Sequence, residues 1–291
     1  VNQFGAGVMW HDGIFVPWDE ANIHIMTHGL HYASCVFEGI RVYKGKPFKL
    51  KEHMARLLKS ADILNLTLKF QLDELIEIVN DLVDRQQINF GYIRPVVWRG
   101  KGKLLISAPH NQISIAIAAW ETPAKYSQYQ EGKDLNDGLK LCYAKWKRAP
   151  SDCIPHLSKC SANYVVGTVD KDNAVAQGFD DALMLDYRGY IAETTSANIF
   201  LVQDDKLHTP IPDCFLDGIT RQSVIDIAKQ NNIEVIERYI LPEEFQHTQD
   251  VFLTSSASEI SPVNSIERYN FSRHPITKQL YDQLMHHIMN L

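Results

Sequence analysis

Residues 139–203 read LKLCYAKWKRAPSDCIPHLSKCSANYVVGTVDKDNAVAQGFDDALMLDYRGYIAETTSANIFLVQ. LKLCYAKW (139–146) has the alternating apolar character of a strand. The stretch 158–178 carries a helical pattern that ends near Gly178, a residue suited to a helix C-terminus. DDALMLD (180–186), a turn at Arg188-Gly189 and SANIFLVQ (196–203) follow as strands joined tightly, and KLHTP (206–210) continues the meander. One covering helix and a run of short-turned strands predict an α+β domain rather than a strictly alternating βα sheet.

Working outward, residues 220–232 (TRQSVIDIAKQNN) place Val224, Ile227 and Ala228 on one helical face. IEVIERYI (233–240) and DVFLTSS (250–256) read as strands, and PITKQLYDQLMHHIMNL (275–291) as a closing amphipathic helix. Toward the N-terminus, residues 121–138 are polar, contain Asn-Asp-Gly and lack periodicity, so they are read as an interdomain linker. Before them, YIRPVVW (92–98) and QISIAIAAW (112–120) are strands separated by RGKGKLLISAPHN (99–111), read as a flexible basic loop. Two helices precede these strands. In the first, Met54, Leu57, Leu58, Ala61 and Leu64 share a face; in the second, Leu72, Leu75, Ile76, Val79, Leu82 and Val83 do. Segments 7–24 and 29–50 have the punctuation of hairpin strands. The expected organisation is a small domain over 1–120, a linker over 121–138 and a larger domain over 139–291.

The chain has 291 residues, 45% of them hydrophobic, which supplies a full core and excludes a disordered or low-complexity class. Its 29 basic and 35 acidic residues leave a net charge of −6, which argues against a broad nucleic-acid surface. No apolar run is long enough to span a bilayer, and the first residues lack the pattern of a secretory leader. Five scattered cysteines without a C-x-x-C pair suit a reducing, cytoplasmic setting.

Three features carry chemistry. Lys159 stands at the start of the 158–178 pattern among Leu157, Cys160 and Ala162. An amine held against apolar surface can serve as a Schiff-base lysine or general base, although an ordinary surface lysine would show the same pattern. Glu193 follows a glycine turn and precedes Thr194, Thr195, Ser196 and Asn198, short donors that could keep a carboxylate ionised against a cationic ring nitrogen; a turn-capping role is the plain alternative. Gly218 precedes Thr220, read as the N-cap of the next helix, whose free N–H groups would suit a phosphate. Thr254, Ser255, Ser256, Ala257 and Ser258 form a second hydroxyl cluster. Two other patterns fail. GKGK at 100–103 lacks the spacing of a nucleotide-binding loop. His24, His28 and His31 are broken by Gly29 in what reads as strand and loop, so no metal is expected.

Taken together, seven collinear segments resemble the branched-chain aminotransferases of the class IV (fold type IV) pyridoxal-phosphate enzymes. They are THGLHYASCVFEGIRVY (27–43), KEHMARLLKSA (51–61), YIRPVVW (92–98), KWKRAPSDCIPHLSKCSANY (145–164), GYIAETTSANIF (189–200), LDGITRQSV (216–224) and FLTSSASEISPV (252–263). The resemblance implies a two-domain fold: a small N-terminal α/β domain and a larger C-terminal β-barrel-like domain with flanking helices. It implies pyridoxal 5'-phosphate as cofactor and transfer of the amino group of leucine, isoleucine or valine to 2-oxoglutarate, in branched-chain amino-acid biosynthesis. It also implies a homodimer or larger homo-oligomer acting on small amino and oxo acids.

Residue by residue, Lys159 matches the lysine that binds the cofactor and moves the proton, Glu193 the carboxylate on the pyridine nitrogen, and Tyr164 the phenol on the ring oxygen. Arg56, Gly218, Ile219, Thr220, Ser255 and Ser256 match the phosphate site. Tyr92 with the N–H groups of Ser256 and Ala257 matches the α-carboxylate site, and Arg94 the partner of glutamate's second carboxylate. Tyr32, Phe37 and Gly39 match the apolar pocket wall, with Tyr32 reaching across a dimer interface. The chain departs from the family pattern in the 99–111 loop, at Thr122 and at TTSAN (194–198). Those departures bear on the substrate side chain. The alternatives are a class IV enzyme of other specificity, such as a D-amino-acid aminotransferase, an aminodeoxychorismate-lyase-like enzyme, and a binding module that has lost catalysis.

Overall fold

The computed structural model describes residues 7–122, 135 and 137–290, so most of the linker expected over 121–138 lies outside the described residues. The chain divides into two units, Val1–Ser127 with Ser158–Ala162 and Leu291, and Gln128–Leu157 with Asn163–Asn290. The short stretch that carries Lys159 therefore belongs with the first unit, apart from its neighbours in sequence.

In the first unit the elements are β1 (Val8–His11), β2 (Ile14–Pro17), α1 (His28–Tyr32), β3 (Cys35–Phe37), β4 (Ile40–Tyr43), β5 (Lys46–Pro47), α2 (Leu50–Ile63), α3 (Leu72–Arg85), β6 (Gly91–Arg99) and β7 (Ile113–Glu121). The strands form one sheet in the order β2-β1-β7-β6-β4-β5, with β3 also on β6. Met54, Leu57 and Ala61 of α2 and Leu75, Val79 and Leu82 of α3 pack with Val36, Ile40, Ile93, Val97, Ile115 and Ile117 of the sheet. Strand side chains alternate between faces. Because Ile93 and Val97 fill that core, Tyr92 and Arg94 point the other way, and both are only partly buried. Pro95 sits mid-strand in β6, where a residue without an N–H would break a ladder. There the neighbouring chain is itself interrupted at Glu38-Gly39, and Glu38 N donates to the Pro95 carbonyl at 2.9 Å. The histidine-bearing segment expected to be strand and loop contains the helical turn α1, which carries His28 and His31. The 99–111 loop, expected to be flexible, is tied down: the Asn111 amide accepts from Lys103 N and donates to the carbonyls of Gly100 and Lys103.

In the second unit the elements are β8 (Leu139–Tyr143), α4 (Val165–Ala176), β9 (Asp181–Leu185), β10 (Ile191–Thr194), β11 (Asn198–Gln203), β12 (Lys206–Pro210), α5 (Ile219–Gln230), β13 (Val235–Arg238), β14 (Asp250–Ser255), β15 (Glu259–Ile266), β16 (Tyr269–Asn270) and α6 (Pro275–Met289). The path β10-β9-β8-β15-β14-β11 returns to its start because β10 also pairs β11, through Glu193 and Asn198. This closes a six-stranded barrel and removes its sheet edges. β12 and β13 extend the sheet beyond β11. Leu141, Leu183, Ile191, Ile199, Leu201, Val251, Leu253 and Val263 form one apolar cluster on its strands. The helix expected over 158–178 starts later: a 3₁₀ turn spans Ser161–Tyr164 and α4 begins at Val165. Lys159 is thus not on the helix, because its neighbour Cys160 is bridged in extended geometry to Val36. Among the described residues, no helix is long and apolar enough to cross a membrane.

Candidate active site

Lys159 is held by its backbone. Its N–H donates to Ser60 Oγ at 3.0 Å, its carbonyl accepts from Phe37 N at 3.1 Å, and Ser158 Oγ donates to the Ser60 carbonyl. The side chain reaches the Phe37 ring, with Nζ 5.0 Å from the ring centroid. The Arg94 guanidinium lies 4.9 Å from the same ring and 5.4 Å from that of Tyr92, in cation–π range. Arg94 Nη2 also donates to the Tyr92 hydroxyl at 3.4 Å. Gly39 completes the group, since a Cβ at that position would lie 1.8 Å from the Tyr92 hydroxyl. Four of the expected site residues, Phe37, Tyr92, Arg94 and Lys159, are therefore clustered, and Gly39 borders them. Tyr32 stands apart on α1, 42% exposed, with its ring against His28.

Arg56 is bound more tightly than its sequence context suggested. Its Nε and Nη2 donate to the two oxygens of Glu38 at 2.6 and 2.9 Å, a fork-to-fork pair. Glu38 is fully buried and also accepts from His53 Nδ1 at 2.7 Å and from Gly39 N at 3.3 Å. Burial pushes the Glu38 carboxyl up, but Arg56 and His53 outweigh it and bring it down to about 2. Burial lowers His53 more than Glu38 raises it. The imidazole is therefore neutral at pH 7, with its proton on Nδ1 facing the carboxylate. Neither Glu38 nor His53 was singled out from the sequence for a role. The available signal was the i,i+3 spacing of His53 and Arg56, which puts both on one face of α2.

The second unit brings a different set together. Ile191 belongs to the barrel's apolar cluster, whereas Glu193 pairs with Asn198, whose neighbour Ile199 is in that cluster. Paired residues share a face and adjacent ones do not. Glu193 therefore points away from the cluster, and the bulge between Ile191 and Glu193 accounts for the switch. Asn198 is paired in turn with Thr254, so Glu193, Asn198 and Thr254 form a row across β10, β11 and β14. Glu193 Oε1 lies 3.0 Å from Arg148 Nε, and Oε2 accepts from Asn198 Nδ2 at 3.3 Å. Arg148 also donates to the carbonyls of Asn163, Thr194 and Thr195. Thr254 Oγ1 is buried without a hydrogen-bond partner among the described residues.

The residue that caps α5 is Gly218, not Thr220: Gly218 has extended dihedrals and Ile219 is the first helical residue. Thr220 is the second, and is buried. The reason is a bond outside the helix, from Gly218 N to Asn198 Oδ1 at 3.1 Å, with Gln222 N closing the first turn on the Gly218 carbonyl. The N–H groups of Ile219, Thr220 and Arg221 have no intrahelical acceptor, which is the arrangement that attracts anions. At the end of β14, Ser255 Oγ and Ser258 Oγ lie 2.7 Å apart, which orders the turn containing Ser256 and the exposed Ala257. Tyr164 is half-buried and precedes α4 as its N-cap, rather than lying within the helix. Arg148 is a neighbour of Glu193 that the sequence reading did not name, whereas Asn198 stood among the short donors expected there and does bond it. Asp186, Asp213 and Cys214 are close enough to hold a cation, but Arg188 already bridges the two carboxylates.

The profile of the family described as amino-transferase class IV matches residues 35–266. A probable branched-chain-amino-acid aminotransferase of Rickettsia felis is 41% identical over 276 residues, covering 94% of this chain and 92% of that protein. A branched-chain amino acid aminotransferase from the source abbreviated T.th., solved with pyridoxamine 5'-phosphate, superposes with a TM-score of 0.93 at 35% identity, covering 99% of this chain and 96% of that one. The same enzyme complexed with N-(5'-phosphopyridoxyl)-L-glutamate gives a TM-score of 0.91 at 34% identity, with 99% and 96% covered.

Proposed function

The chain belongs to the class IV amino-transferase family, and from that premise we propose that it is a pyridoxal-phosphate-dependent branched-chain aminotransferase. In this reading it exchanges the amino group of leucine, isoleucine or valine with 2-oxoglutarate. The observation that carries the substrate reading is the Phe37, Tyr92, Arg94 and Lys159 cluster: an amine beside an apolar ring, with a cation near enough for a second carboxylate.

The donor set of the second unit fits the cofactor. Among the described residues it holds a buried Thr254 hydroxyl without a partner, a carboxylate fixed between Arg148 and Asn198, and a helix terminus whose first N–H groups lack intrahelical acceptors. When bound, pyridoxal 5'-phosphate supplies an aldehyde that takes up the amino group and a ring that spreads the electron pair left at the substrate α-carbon. The protein does the rest. Glu193 would accept from the pyridine N–H, Tyr164 would bond the ring oxygen, and Ile219, Thr220, Ser255 and Ser256 would donate to phosphate, behind the Gly218 cap. In the first unit, Arg56, its orientation set by Glu38, is the phosphate ligand that the family resemblance implies. Lys159 would hold the cofactor and would be the amine placed to take the proton from the substrate α-carbon. Tyr92, and in the second unit the N–H groups of Ser256 and Ala257, are the α-carboxylate donors that the family resemblance implies. Arg94 would meet the γ-carboxylate of glutamate, and Phe37 and Gly39 would line the apolar side, with Tyr32 reaching across the dimer interface to a second copy's pocket.

Visible absorption tests the reading. The purified protein, loaded with pyridoxal phosphate, is expected to convert to the pyridoxamine form with L-leucine and with L-glutamate. A response to D-alanine alone would replace the substrate class with D-amino acids. Lys159→Ala is expected to leave no borohydride-trapped cofactor; an undiminished adduct would remove the lysine assignment.

A homodimer is part of this proposal. Ile23, Ile25, Met26, Leu30 and Tyr32 are exposed within ten residues of chain, and the Leu105 carbonyl lies 3.0 Å from His28 Nε2, which brings that exposed leucine alongside. So much exposed apolar surface suits burial against a second copy. Sedimentation should give twice the chain mass or a multiple of that dimer, and a monomer at micromolar concentration would refute it. The five cysteines are free, which supports a cytoplasmic location; recovery of the protein in an oxidising compartment on cell fractionation would argue against it.

A further inference from the structure

Glu193 and the start of α5 serve different parts of the proposed cofactor, one the ring nitrogen and the other the phosphate. A single side chain touches both. Asn198, 5% exposed, donates from Nδ2 to Glu193 Oε2 at 3.3 Å and to the Leu216 carbonyl at 3.0 Å, while its Oδ1 accepts from Gly218 N at 3.1 Å. Two acceptors on one side and a donor on the other admit one orientation of the amide. Its backbone is pinned as well, because Glu193 and Asn198 are the one register pair through which β10 closes on β11. At the far end the approach is close: a Cβ on Gly218 would lie 2.3 Å from Asn198 Oδ1. By taking the Gly218 N–H, Asn198 leaves Ile219 as the first donor that can face an anion.

Resting on the cofactor reading above, we propose that Asn198 is a positioning residue that ties the ring-nitrogen carboxylate and the phosphate-binding helix terminus into one frame, so that their spacing is set before the cofactor arrives. Preorganisation of this kind spares the ordering of two separate anchors on binding. The two halves of the amide have different partners: Nδ2 serves Glu193 and the Leu216 carbonyl, and Oδ1 alone serves the Gly218 N–H.

The test uses the full chain freed of cofactor and two partial ligands: pyridoxal, which has the ring without the phosphate, and inorganic phosphate, read by competition against pyridoxal phosphate. In Asn198→Ala both dissociation constants are expected to rise about tenfold, the effect of one lost hydrogen bond at each end. Asn198→Asp keeps the Oδ1 acceptor for Gly218 but sets a second carboxyl against Glu193. Carboxyls that close share one proton, so the pair keeps the charge of Glu193 alone. Phosphate affinity should therefore stay within about twofold of wild type, while pyridoxal weakens about tenfold. General loosening of the site would instead weaken both ligands together in Asn198→Asp. That result, or an Asn198→Ala protein that loses only one ligand or neither, overturns the proposal. If Asn198→Ala does not fold, the isosteric aspartate variant decides alone. A wild-type chain that binds neither pyridoxal nor pyridoxal phosphate would refute the cofactor reading and this proposal with it.

Discussion

A methyl group on residue 39 has nowhere to go, because the Tyr92 hydroxyl already occupies that space. Gly39→Ala must push Tyr92 aside, and Arg94, which donates to that hydroxyl, with it. The expected result is a KM for L-leucine raised roughly tenfold to a hundredfold, with cofactor retention unchanged. An unaltered KM would show that Tyr92 is not a substrate ligand. At this scale Lys159 and Glu193 were legible as candidates beside plain alternatives, and Arg56 only through the family resemblance. Their partners were not. Glu38 lies 18 positions before Arg56, and Arg148 lies 45 before Glu193, so neither pair leaves a local pattern. A fully buried carboxylate lies against Arg56, and nothing in its sequence neighbourhood marks that partner.

Elements were more legible than their ends. The apolar periodicity of α2, α3, α5 and α6 follows from burial on one face, and any sequence with that spacing shows it. The starts of α4 and α5 depend on bonds that arrive from elsewhere, the Val36–Cys160 bridge and Asn198 respectively, so their positions differ from the expected ones. The α6 terminus makes the same point. Fully buried Asp250 of β14 accepts from His274 N at 3.0 Å and Thr277 Oγ1 at 2.5 Å, and pairs with Arg273. Asp250→Ala leaves that guanidinium half-buried without its anion and should cost roughly 3–5 kcal/mol in urea unfolding. A loss below about 1 kcal/mol would mean that apolar packing alone docks the helix.

For the whole molecule, the net charge of −6 matters less than where its buried charges stand. Glu38, with a carboxyl brought down to about 2 against an ordinary 4.5, binds fewer protons folded than unfolded. Its contribution, on the order of 3 kcal/mol, is therefore present above pH 4.5 and lost as pH falls toward 2. His53, also depressed, adds to the loss once pH drops below 6.5, because the unfolded chain then takes up a proton that the folded one refuses. Urea unfolding from pH 7 to pH 3 should show wild type losing more stability below pH 4.5 than Glu38→Gln; parallel curves would sink the assignment. The sequence by itself determined the α+β class, the periodic helices α2, α3, α5 and α6, and the family, since these rest on periodicity and on collinear local patterns. Tertiary structure alone decided that Lys159 packs with the first unit, that a bulge turns Glu193 away from the barrel's apolar cluster, and that Gly218 rather than Thr220 caps α5. The reason is physical: burial and hydrogen bonding act through space, between residues whose separation along the chain carries no periodic trace.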